Sequence, residues 1–146
     1  MACKKQLIYI AGPYSKGDVA VNVNNAIKAA DKLVEAGFLA FIPHLTHFWH
    51  IVSPKAWEFW IQLDLACLAF CDGVLRLPGE SEGADREVRR AKELGIPVYY
   101  SLDELEGDTV SGGNFYGFDW KDMYCPNCGL SRNLPALPGC PQGSHR

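Results

Sequence analysis

The chain has 146 residues, 48% of them hydrophobic and 21% charged, with a net charge of −3. That length holds one domain with a real core, and the mildly acidic balance gives no electrostatic case for a nucleic-acid or membrane-surface partner. No stretch nears the roughly 18 apolar residues of a membrane span, MACKKQLIYIAG has no small-residue cleavage site, and the six cysteines are too unevenly placed for a secreted disulfide framework, so a cytoplasmic setting is expected.

Two textures divide the chain. Residues 1–106 alternate short apolar runs with helical patterns, and residues 107–146 form a tail rich in Gly, Pro, Cys and aromatics with no sustained period. LIYIA (Leu7–Ala11) reads as a buried strand ended by the turn pair Gly12-Pro13. A helix is expected from Val19 to Ala36, with Ala26, Ile27, Ala30, Leu33 and Val34 on its inner stripe and Gly37 stopping it. FLAFIP (Phe38–Pro43) is the second strand. Ser53-Pro54 reads as an N-cap followed by proline at the first helical position, starting a helix that runs to about Cys71. GVLRL (Gly73–Leu77) is the third strand, a Gly-rich turn then opens a helix ending at Gly95, and PVYYS (Pro97–Ser101) is the fourth strand. LDELEG suggests a short closing turn of helix.

Strand and helix in alternation imply an α/β fold, a parallel sheet of four to five strands with helices on both faces. Ligands in such sheets sit beyond the carboxyl ends of the strands, where the strand order reverses. With the order 2-1-3-4 that point lies between strands one and three, at the loops AGPYSKGD and PGESEGAD. Backbone N–H groups and helix N-termini in such loops favour anions.

Two acids break the helical patterns. In the helix before Gly95, Ala84, Val88, Ala91 and Leu94 share one arc, and Glu87 falls inside it. In SPKAWEFWIQLDLACLAFC the polar face is Lys55, Glu58 and Gln62, while Asp64 lies among Trp57, Trp60, Leu68 and Cys71. Burying an unpaired carboxylate costs several kcal/mol, so such residues are kept where something compensates, often chemistry. Glu87 lies near the positive end of its helix, which favours the ionised form and suits a nucleophile. Asp64 is mid-helix, where burial raises its pKa and suits an acid or base. A carboxylate nucleophile with a carboxylic proton donor is the arrangement that cuts a bond at an anomeric carbon. A structural role for each acid, bonded to a loop N–H or an arginine, is the alternative.

These residues, with "IYIAGPYS", "LDLACLAFCDGVLRLPG" and "SEGADREVRRAKELGIPV", resemble the nucleoside 2-deoxyribosyltransferase-like superfamily over about residues 7–101. The most specific element is Gly83-x-x-x-Glu87. Members include deoxynucleoside 5′-monophosphate N-glycosidases, and the small phage and bacterial branch is the most similar. The resemblance implies a flavodoxin-like fold, a 2-deoxyribosyl–glutamate intermediate on Glu87, and Asp64 as the acid that protonates the leaving base. It also implies a second aspartate, Asp72, beside the pocket, and a tyrosine, Tyr9 or Tyr14 with Tyr9 preferred, that orients the nucleophile. Ser81 stands six residues before Glu87, where nucleotide-cleaving members contact the 5′-phosphate, and Ser15 and Lys16 lie within reach of that role. Gly12, Tyr14, Ser15, Asp72, Ser81 and Gly83 are thus the expected substrate-binding residues. The implied substrate is a nucleoside or its 5′-monophosphate; water completes a hydrolysis, a second base a transfer, and strict hydrolysis of a modified nucleoside 5′-monophosphate is the nearest alternative. The catalytic chemistry needs no cofactor. The sharpest departures from the family lie around the glutamate, at Asp85, Arg86, Arg89 and Arg90. A non-catalytic nucleotide-binding module is the contrasting reading.

Other features carry weaker expectations. His44, His47 and His50 stand three apart in HLTHFWH and fit a pocket rim better than a metal site. Trp49, Trp57, Phe59 and Trp60 are many large groups for one surface; they are core or, given the oligomeric habit of the family, a homodimer or larger interface. Arg86, Arg89, Arg90 and Lys92 read as a solvated face, with phosphate steering and nucleic-acid contact as lesser options. In the tail, Cys125-x-x-Cys128 with Cys140 and His145 makes a candidate structural zinc site, against free thiols. The stretch NFYGFDWKDMY is a candidate cover for a pocket mouth.

Overall fold

A computed structural model describes residues 6–108. Four strands, β1 (Leu7–Ala11), β2 (Leu39–Phe41), β3 (Gly73–Arg76) and β4 (Val98–Tyr99), form one sheet in the order β2-β1-β3-β4. Every pair is parallel, with Tyr9 opposite both Phe41 and Val74, and Leu75 opposite Tyr99. The helices are α1 (Val19–Glu35), α2 (His47–Val52), α3 (Trp57–Leu68), α4 (Glu82–Glu93) and α5 (Leu102–Asp108), with a 3₁₀ turn at Pro43–Thr46 ahead of α2. This is the expected α/β architecture, and the strand order reverses between β1 and β3 as anticipated.

The side-chain alternation of β1 splits the core into two layers. Ile8 and Ile10 point to one face and pack with Ala26, Ala30 and Leu33 of α1, Leu75, Tyr99 and Leu105 of α5. Tyr9 and Ala11 point to the other, with Val74, Leu68 of α3, and Ala84 and Ala91 of α4. The inner stripe of α1 is narrower than expected: Ile27 and Val34 are exposed, because the sheet covers only the row through Ala26, Ala30 and Leu33. In α4 the buried row is Ala84, Glu87 and Ala91, and Leu94, at the helix end, is exposed.

The ends of α1 and α4 are built alike. Asp18 accepts from the Val21 N–H at 3.0 Å, and the Ser81 hydroxyl accepts from the Ala84 N–H at 3.2 Å. Each helix then stops at a glycine with positive φ, Gly37 at 94° and Gly95 at 71°. The N–H two past each C-cap reaches back to a carbonyl of the last turn, Phe38 to Leu33 at 2.9 Å and Ile96 to Ala91 at 2.8 Å.

The segment between β2 and α3 departs from expectation. Ser53-Pro54 starts no helix: Ser53 closes α2, its N–H bonded to Trp49 O at 2.8 Å, and α3 begins at Trp57 behind an uncapped Ala56. The proline explains this, since the residue before it is disfavoured in the helical region, and Ser53 lies outside that region at φ −140° and ψ 83°. Lys55 therefore precedes α3 and bonds the Ser53 hydroxyl at 2.7 Å instead of joining a helical polar face. No helix among the described residues is long and apolar enough to cross a membrane. Cys125, Cys128, Cys140, His145 and the aromatic stretch before them lie outside the described residues.

Candidate active site

Glu87 and Asp64 are brought to one cavity by the packing of α4 on α3. Gly83, one turn before Glu87, makes the approach close: a Cβ there would stand 3.3 Å from Cδ1 of Ile61 on α3. The cavity, about 1040 Å³, opens at the carboxyl ends of β1 and β3, the predicted crevice. Trp57, Trp60, Ile61, Asp64 and Leu65 supply one wall from α3. Ser81, Gly83 and Glu87 supply the facing wall from α4, and Gly12, Tyr14, Ser15 and Lys16 come from the loop after β1.

Glu87 is 6% exposed. The Tyr9 hydroxyl, from the middle of β1, donates to its Oε1 at 2.9 Å. Burial pushes Glu87 up to about 8; the Tyr9 hydrogen bond pulls it down, Asp64 pushes it up and Arg76 pulls it down. Burial therefore outweighs the helix-end field expected to keep Glu87 ionised, and the residue lies in the second turn, where that field has faded. Burial also raises Asp64, to about 6. Tyr9 itself is held well above the ordinary phenol range, first by burial and then by the charge on Glu87, so it stays a donor.

Tyr14 is tied elsewhere, its hydroxyl 2.7 Å from His47 Nδ1. Gly12 is buried against Leu77, whose Cβ would lie 3.1 Å from an added Cβ. Asp72 is not among the residues lining the cavity: it precedes β3, at the amino end of the sheet, and its Oδ2 accepts from the Leu7 N–H at 2.8 Å. The three histidines turn to three partners: His44 Nε2 to Pro13 O at 2.9 Å, His47 to Tyr14, and His50 Nδ1 to the Trp60 indole N–H at 2.9 Å. His44 and His50 line the cavity.

The loops at the mouth are linked. Lys16 pairs with Glu80, and the Asn22 amide donates to the Tyr14 and Lys16 carbonyls at 2.8 and 2.9 Å. Gly79, at φ +111°, lies against the Pro13 ring so closely that a Cβ would meet its Cγ at 2.8 Å. Arg86, Arg89 and Arg90 are exposed, as the solvated face expected of them requires, and all three also line the cavity. Arg86 pairs with Glu82 at 2.7 Å and lies 4.7 Å from the centre of the Trp57 ring, and Arg90 pairs with Glu93 at 3.0 Å. Their position on the side of α4 next to Glu87 was the available clue. Trp49, Phe59 and Trp60 stack edge to face, with centroids 5.1–6.0 Å apart.

Two carboxyl groups lining one cavity, one of them bonded to a phenol, can donate or accept a proton and present one oxygen as a nucleophile. Lysine and a hydroxyl at one end can hold an anion.

No curated protein matches the chain. A solved structure of a 2-deoxyribosyltransferase from Bacillus psychrosaccharolyticus is similar, with 20% identity and a TM-score of 0.48, covering 86% of this chain and 96% of that one. Residues 6–101 match the model of DUF7768, a domain of unknown function, and the chain belongs to that family.

Proposed function

We propose that the protein cleaves the N-glycosidic bond of a deoxynucleoside or its 5′-monophosphate through a covalent glutamate–sugar intermediate. The observation that carries this reading is the buried Tyr9–Glu87 hydrogen bond facing the same cavity as Asp64. An oxygen of Glu87 bonds to C1′ as the C1′–N bond breaks, and the Asp64 proton passes to the departing base nitrogen. Water, or the nitrogen of a second base, then attacks C1′ and frees the Glu87 carboxylate; the proton lost by that nucleophile returns to Asp64. Tyr9 steadies the ionised glutamate before attack and as it is released. The Ser81 hydroxyl already accepts from Ala84, which leaves its own O–H to donate to a phosphate beside Lys16. The reaction draws only on protein side chains.

The exposed apolar residues of α2, among them Phe48 at 69% and Val52 at 85%, support a homodimer or larger assembly. Incubation with deoxynucleosides and their 5′-monophosphates, with and without a second free base, tests the reading. Base release or exchange that is abolished in Glu87→Ala is expected. Full activity in that folded variant, or no turnover of any of these substrates by the wild type, overturns it.

A further inference from the structure

A second cavity lies on the opposite face of the sheet. Its volume is about 380 Å³, within the range of small-molecule sites. Its polar lining is Asn22, Asn25, Lys28 and Lys32 of α1, Arg76 at the end of β3, Tyr100 and Ser101. No aspartate or glutamate lines it, in a chain whose net charge is −3. The carboxylate cavity, by contrast, mixes acids and bases along its whole length.

The α1 residues stand at helical spacing, so their side chains project from one flank. Lys28 and Lys32, one turn apart, are like charges on neighbouring positions, an arrangement unfavourable in itself. Among the described residues neither has an ion-pair partner. The Ser101 hydroxyl accepts from the Glu104 N–H at 3.2 Å and keeps its own proton to donate. Two lysines without an ion-pair partner, with the Asn25 amide and the Tyr100 and Ser101 hydroxyls, around a small concave space match the oxygen-rich surface of a phosphate group.

We propose that this cavity binds a small phosphate-bearing anion, held by Lys28 and Lys32, at a site separate from the carboxylate cavity. The proposal stands whether or not the first cavity cuts glycosidic bonds. Its walls also reach the first site. Arg76 extends to Gly79 O at 2.9 Å and to Asp85 at 3.0 Å, and Asp85 lines the carboxylate cavity. Asn22 holds the Tyr14 and Lys16 carbonyls of the loop at that cavity's mouth. An anion seated against Arg76 and Asn22 thus lies beside groups already bonded to the walls and mouth of the first cavity, which gives the site the placement of a regulator.

Calorimetric titration of the full chain with inorganic pyrophosphate, at near-physiological salt, tests the site. One saturable site is expected, weakened by at least about tenfold in Lys28→Gln/Lys32→Gln. It is expected to change little in Lys16→Gln/Arg89→Gln, which alters only the first cavity. Circular dichroism checks that both variants fold, and Lys28→Gln alone, expected to give a smaller loss, stands in if the double variant does not. A parallel titration with a nucleoside 5′-diphosphate, counting only the binding lost in Lys28→Gln/Lys32→Gln because the first cavity is itself proposed to hold nucleotides, separates the sources: tighter binding than pyrophosphate assigns the site to nucleotides, equal or weaker binding to inorganic phosphates, and each supports it. Absence of saturable binding overturns the proposal. So does binding that survives loss of the α1 lysines, or that falls equally in both double variants.

Discussion

The Tyr9 hydroxyl donates to Oε1 of Glu87 at 2.9 Å, across 78 positions of sequence. One partner is the central residue of β1 and the other lies in the second turn of α4, so the bond ties the sheet to the helix that carries the candidate nucleophile. Removing the phenol in Tyr9→Phe leaves the ring packing on Phe41, whose centroid is 5.6 Å away, and deletes only the donor. Loss of one hydrogen bond to a charged group is expected to lower kcat between about ten- and a hundredfold. The pKa of Glu87 rises, since that hydrogen bond lowers it. Steady-state rates across pH check both effects.

The two acids set the pH profile. Glu87 must be ionised to attack and rises to about 8; Asp64 must carry a proton and rises to about 6. The productive form is therefore a minority of the free protein, and kcat/KM is expected to be bell-shaped, with limbs near those two values. In Asp64→Asn the alkaline fall disappears with the acid. The remaining rise moves below 8, because the charge on Asp64 no longer opposes ionisation of Glu87.

Stability follows the same proton. The folded-state pKa of Glu87, about 8, lies above its ordinary value of 4.5. The native protein keeps a proton that the unfolded chain gives up. The contribution is complete below the unfolded value and is lost as pH rises through about 8, at about 1.4 kcal/mol per pH unit. Glu87→Gln has no proton to lose. It is expected to melt above the wild type at pH 8 to 9, by several kcal/mol in stability, and the gap is expected to close near pH 5. Thermal unfolding at those pH values measures it.

Gly83 sets the spacing of α3 and α4. Alanine there gains up to about 1 kcal/mol of helix propensity, but its Cβ meets Ile61 at 3.3 Å. Gly83→Ala is expected to leave stability within about 1 kcal/mol of the wild type while turnover falls, because the two carboxyl groups shift apart. Adding Ile61→Val frees the space and is expected to restore activity. Chemical denaturation and initial rates of the single and double variants decide this.

The apolar face of α2 gives a test of assembly. Phe48→Glu/Val52→Glu is expected to reduce the mass found by light scattering to that of one chain, with far-ultraviolet circular dichroism unchanged. A wild type that is already monomeric contradicts the assembly.

Much of the fold is legible because its cues are local and agree. LIYIA is short, apolar and β-branched, bounded by Gly-Pro, and forms β1 over the expected residues. Asp18 and Ser81 stand where caps belong, and Gly37 and Gly95 where helices end. The inward turn of Glu87 follows from helical period alone. Ser53-Pro54 fails because the pair fits two readings: serine and proline begin helices, and proline also ends the helix before it. The contacts of Trp49 with Phe59 and Trp60 accompany the second outcome, and they join segments whose meeting no local pattern records. Asp72 fails for a related reason. An acid just before a strand does not reveal that a backbone N–H of the neighbouring strand will take its carboxylate to the far end of the sheet.

Pro13 and Gly79 sit on different loops, and one fills the space that any other residue would need at the second. A side chain at position 79 would meet that ring, and the positive φ of Gly79 strains it even where the ring is gone, while loss of the ring alone opens a gap beneath the mouth. Position 79 is thus held to glycine twice over, by space and by backbone, and the rim it shares with Pro13 tolerates less change than the exposed residues around it.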